Sequence, residues 1–188
     1  MKNKIISFTL FMFLILLLMG ACSTIGSNEN ILDLGQTPGI DCIPGEKGDS
    51  RMFGDTFLRH LGDKEIRITE VSLIKPDNLA LAEAFMLKLE PNEALVGFGD
   101  WPPNNEDSFP LPKEWENRIQ AKGAKIQPGE EWNLVFVLTS NASVTSSSKG
   151  IKIVYKDSDG KKYVQETLIQ YAITSRTCSE VLEENSMN

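Results

Sequence analysis

Trp132, Leu134, Phe136 and Leu138 alternate along one face of an extended chain, and Val135 and Val137 make the opposite face apolar as well. A strand apolar on both faces has to be covered on both, so this segment is predicted to run through the middle of its sheet. From Arg51 onward the same theme recurs: short apolar runs separated by turn residues, the pattern of an antiparallel sandwich. Seven strands are expected, over residues 52–61, 65–74, 79–89, 94–98, 132–138, 151–156 and 163–173. Gly62-Asp63, Pro76-Asp77-Asn78 and Asp157-Ser158-Asp159-Gly160 are the turns between them, the last having the composition of a tight hairpin.

Two of these strands carry irregular phase. Ile66 and Ile68 alternate in one register and Val71 and Leu73 in the other, which predicts a bulge near Thr69-Glu70. Residues 79–89 combine strong helix formers with an alternation of Leu79, Leu81, Phe85, Leu87 and Leu89 that fails only at Glu83. The alternation is weighed above propensity and the segment is read as a strand. The expected fold is therefore all-β, an antiparallel sandwich of about seven strands.

The N-terminus carries an address. Lys2 and Lys4 precede an apolar run from Ile5 to Met19, interrupted only by Ser7 and Thr9 and closed by Gly20, Ala21 and Cys22. Fifteen residues span about 22 Å as a helix, short of the roughly 30 Å hydrocarbon core, and no basic cluster follows. The layout is that of a cleaved signal peptide. Met19-Gly20-Ala21-Cys22 resembles the lipobox of bacterial lipoprotein precursors, with Met19 where that family most often has Leu. The resemblance covers residues 1–22. It implies cleavage between Ala21 and Cys22, a diacylglycerol thioether on Cys22, and an outward-facing domain held at the cell membrane, or at the outer membrane of a cell with two. Ordinary secretory cleavage ahead of an incidental cysteine is the alternative.

Lipidation of Cys22 would leave Cys42 and Cys178 as an even pair in an oxidising compartment, for which a disulfide is the natural reading and two separate thiols the alternative. The bridge would close a loop of about 137 residues, worth roughly 5 kcal/mol at most on the chain-entropy model. The expected organisation is a leader over 1–21, a Gly- and Pro-rich flexible tether over 22–50, the sandwich over 51–178 and a fraying acidic tail over 179–188.

Charge narrows the partners. The formal net charge is −7, and loss of the two leader lysines takes it to about −9, a balance that disfavours nucleic acid and anionic lipid head groups. Strand-turn segments over 65–89, Ile126-Gln127-Pro128-Gly129, 132–138 and 150–163 resemble small immunoglobulin-like domains of uncharacterised bacterial cell-surface lipoproteins, over roughly residues 51–174. That resemblance implies a fold and carries no catalytic residue.

Candidate chemistry is sparse. Residues 99–129 form an unusually long connection, rich in Trp101, Trp115 and prolines and in the acids Asp100, Glu106, Asp107, Glu114 and Glu116. Pro112 could open a short helix ended by Gly123, placing Trp115 and Ile119 on one face. Trp101 and Trp115 are either a cap over an open end of the sandwich or a binding surface. His60, the only histidine, lies in an apolar strand and reads as structural, and no Gly-x-Ser-x-Gly elbow exists. Asp157-Ser158-Asp159-Gly160 begins like a calcium loop but lacks the later acid ligands. No metal or cofactor is expected. The reading is a non-enzymatic, membrane-tethered binding or accessory module with an envelope protein partner. A carboxylate hydrolase acting near 99–129 and a small-ligand or ion binder are the alternatives.

Overall fold

The computed structural model describes residues 31–90, 93, 95, 97–103 and 111–186. The expected leader with Ala21 and Cys22 lies outside the described residues, as do Glu106 and Asp107.

Two β layers face each other. The first runs in the order β1 (Leu32–Asp33), β3 (Ser50–His60), β9 (Glu131–Ser140), β5 (Leu79–Leu87), β7 (Ile119–Gln120), with β6 (Phe98–Asp100) also on β3. The second holds β12 (Lys162–Glu166), β11 (Ile151–Asp157), β4 (Ile66–Leu73) and β8 (Lys125–Ile126), together with β10 (Thr145–Ser148), β13 (Ile169–Thr174) and β2 (Gly39–Pro44). The protein is thus an all-β sandwich. Strand β9 is central, as its two apolar faces require: β3 and β5 flank it, Leu134, Phe136 and Leu138 point into the main core, and Val135 and Val137 into a second cluster on the far side of the sheet. Phe53, Phe136 and Tyr171 lock the layers together, the tyrosine ring edge-on to both phenylalanines at 5.3 and 4.9 Å.

The irregularities fall where the phase breaks. The β4–β11 register skips Thr69, whose hydroxyl instead donates to the Val154 carbonyl, and the β5–β9 register shifts between Leu81 and Glu83. More strand segments than seven arise because the strand expected over 163–173 is split by a bend and β1, β2, β7, β8 and β10 add short ones. The β10–β13 pairing sets Ser148 against Tyr171, whereas β11–β12 sets Lys152 against Glu166, a one-residue change of register at Gly150 and Thr167. A single long hairpin is bent there. Gly150 has φ +144°, and a Cβ on it would lie 2.8 Å from the Thr167 hydroxyl, which accepts the Ile151 N–H at 2.8 Å. Gly150→Ala is expected to cost about 2 kcal/mol, read as a lower urea midpoint at unchanged slope; an unchanged midpoint would show that the bend tolerates a side chain.

Four expectations are corrected. The segment 22–50 is not a tether throughout: Leu32, Leu34 and Ile43 are buried in the main core, and β2 runs parallel to β13 in a ladder of six residue pairs. The strand expected over 94–98 is β6, Phe98–Asp100, with Ala94 and Val96 outside the described residues. The tail does not fray from 179, because Cys178–Ser186 is an α-helix, α1. The Thr177 N–H and hydroxyl both donate to the Glu180 carboxylate at 3.0 and 2.9 Å, holding its first turn. The helix expected after Pro112 is a 3₁₀ turn, Lys113–Asn117; Trp115 is buried beneath it, while Ile119 belongs to β7 and is exposed.

Cys42 on β2 and Cys178 at the start of α1 form a disulfide with a Cα–Cα distance of 5.7 Å, so the pairing read from the cysteine count is present. No helix of the described residues is long and apolar enough to cross a membrane.

Candidate functional site

The long connection does not present Trp101 and Trp115 as a free surface. Of its described residues, Trp101, Leu111 and Trp115 lie against the outer face of the first sheet, where Trp115 is 5% exposed and packs in the cluster of Met52, Phe85, Leu87, Leu95, Val135 and Val137. Trp101 is half-buried beside it. The ring centroids of Phe85, Trp101 and Trp115 are 5.8 to 6.3 Å apart. A ring group of this kind can bind a cation, but the chain fills it with its own: the Arg118 guanidinium lies 4.5 Å from the Trp115 ring and 5.4 Å from Phe85, and donates to the Trp115 carbonyl at 3.0 Å. Trp115 as part of an exposed binding surface is therefore corrected. The tryptophans cover a sheet face rather than an open end, because Val135 and Val137 need burial there.

The remaining chemical candidates are tied down. Asp100 forms an ion pair with Arg51, which also pairs with Asp49 at 3.1 Å. His60 is buried; its Nδ1 accepts the Gly62 N–H at 2.9 Å, leaving Nε2 to donate to the Lys64 carbonyl at 2.7 Å. Both ring nitrogens are spent on the turn that follows β3. The Asp157–Gly160 turn is likewise internal: the Asp157 carboxylate accepts N–H groups of Asp159 and Lys161 and the Tyr163 hydroxyl. Partial burial works against its charge, yet these donors hold its pKa below the usual carboxylate value. Among the described residues no group of three His, Cys, Asp or Glu is placed to hold a metal.

An open feature of the described residues lies at one edge of the sandwich, where the chain crosses from β1 to β2. Leu32 to Gln36, Leu61, Gln165, Glu166 and Leu168 line a cleft of about 340 Å³, and a smaller groove beside Phe57, Arg59 and Glu131 shares its Asp33–Gly35 wall. Gln36 pins the crossing, its amide nitrogen donating to the Thr56 hydroxyl at 3.0 Å and its oxygen accepting the Leu168 N–H at 3.1 Å. Leu61 and Leu168 stand 61% and 53% exposed on the rim, and the buried Gln165 Oε1 has no hydrogen-bond partner. Tyr155, also buried, has its phenol pushed up to about 12 by burial and the neighbouring Tyr163, so it remains a neutral hydroxyl. The cleft combines apolar rims with unpaired amide capacity. Sequence reasoning missed it because its walls come from the segment read as a tether and from single leucines in turns.

The fold defines a class, an all-β sandwich, and comparison adds little to it. No family model and no curated protein matches the chain. Two solved structures are similar at low level: the secreted serine protease VesC from Vibrio cholerae, at 9% identity and TM-score 0.37, and a PapD-like domain of human CEP192, at 7% identity and TM-score 0.38. The matches cover 83% of this chain in both cases, but 26% of the protease chain against 96% of the PapD-like domain. The chain thus spans about a quarter of the protease, and neither likeness bears on activity.

Proposed function

We propose that this chain is a lipid-anchored extracytoplasmic protein that acts as a non-enzymatic binding or accessory module. The observation that carries the reading is the Cys42–Cys178 bridge. It supports an oxidising compartment, and it leaves Cys22 as the unpaired third cysteine directly behind Met19-Gly20-Ala21. Acylation of that sulfur, with cleavage after Ala21, gives the third cysteine a chemical purpose. Two or three acyl chains hold a protein firmly, whereas one gives only marginal binding. A binding role is supported by the apolar-rimmed cleft and by the engagement of His60 and Asp100 in structural bonds. Its partner is another envelope protein.

Cys22→Ala is expected to abolish fatty-acid labelling of the full chain and to leave either an uncut precursor or a released protein, read by metabolic labelling and membrane fractionation. Labelling that persists in the variant would refute the anchor.

A further inference from the structure

We propose that two copies of this chain pair edge to edge through β12, in antiparallel register about a two-fold axis at Val164. Among the described residues strand β12 ends its sheet: β11 pairs one side, and β2 joins the same layer only from Ile169 onward. The phase of its backbone follows from two flanking bonds, Thr167 N–H to the Ile151 carbonyl and Asp157 N–H to the Lys161 carbonyl. Odd-numbered residues exchange bonds with β11, so Lys162, Val164 and Glu166 direct their N–H and C=O groups outward.

The same three residues have exposed side chains on the outer face, with Val164 at 50%. Centred on Val164, a second β12 sets Val164 beside Val164 and sets each Lys162 opposite Glu166 of the second copy. The even residues then form bonded pairs throughout, and both ends of the strand carry opposite charges. The rows behind the edge add to this. Lys125, Arg67, Lys156 and Lys162 stand in register across β8, β4, β11 and β12, four adjacent cations whose row ends at β12. Glu65 pairs with Lys125 at the far end of that row, and Glu166 of the second copy supplies a carboxylate at the Lys162 end. Lysines on an edge can also serve to repel a second strand, but here each has its counter-charge four residues along the same strand, as a self-pairing edge requires.

The test uses the full chain in cells, with membrane and soluble fractions both sampled. Val164→Cys should give a disulfide-linked dimer on mild oxidation, since bonded antiparallel partners lie about 5.5 Å apart at Cα. Wild type and Val144→Cys, equally exposed at another site, set the background. In the Val164→Cys chain, adding Lys162→Glu or Glu166→Lys should each cut cross-linking about tenfold, because two attractive pairs become repulsive. Co-expressing the two reversed chains should restore it, which also shows that both fold. Val164→Cys cross-linking at background, or cross-linking indifferent to either reversal, would overturn the proposal.

Discussion

Replacing Cys42 and Cys178 together by Ala is expected to lower the unfolding free energy by about 4 kcal/mol, within the usual range for a long-loop disulfide. The bridge spans 136 positions and so restricts most of the chain when it is unfolded. In the folded state it joins β2, which has β13 as its one strand neighbour among the described residues, to α1. Strand β2 carries a single residue in the main core, Ile43, and α1 buries Val181. A reduced wild-type chain should behave like the double variant, with β2 and α1 the first segments to gain hydrogen exchange. Urea midpoints that coincide for oxidised, reduced and double-variant protein would show that the β2–β13 ladder alone holds this edge.

Trp115→Ala should cost about 4 kcal/mol, as expected for removal of a buried aromatic ring. The loss has two parts, a cavity against Phe85, Val135 and Val137 and the stranding of Arg118, whose guanidinium now rests on the ring. Trp101→Ala, at a half-buried position, should cost about half as much, and the two effects should fall short of additivity because the rings touch. Trp115→Phe should recover part of the loss. A Trp115→Ala protein with an unchanged melting temperature would mean that the connection lies on the sheet without stabilising it, and would reopen the ring group as a ligand site.

What could be read from the chain alone divides along a physical line. Local period and turn chemistry were sufficient for β9, for the Asp157–Gly160 hairpin, for the Thr69 bulge and for β5 against its helical propensity, where the break at Glu83 marked a register shift. Long-range pairing was not legible. Gly39–Pro44 has too few apolar residues to announce a strand, and it is ordered by β13 and a cysteine far along the sequence. The glycines and prolines that read as a flexible arm instead turn the chain from one layer to the other. For α1 a signal was present and unused: Thr177 followed three residues later by Glu180 is a capping box. The edge cleft had no signature, since Leu61 and Leu168 are isolated in sequence and meet only through the crossing at Gln36.

Leu32 belongs to both β1 and the main core, which limits how far the sandwich can stand from Cys22. Ten residue steps separate the two, and a chain of that length spans at most about 35 Å. Under the proposed acylation of Cys22, that distance is the greatest height at which β1 could stand above its anchor.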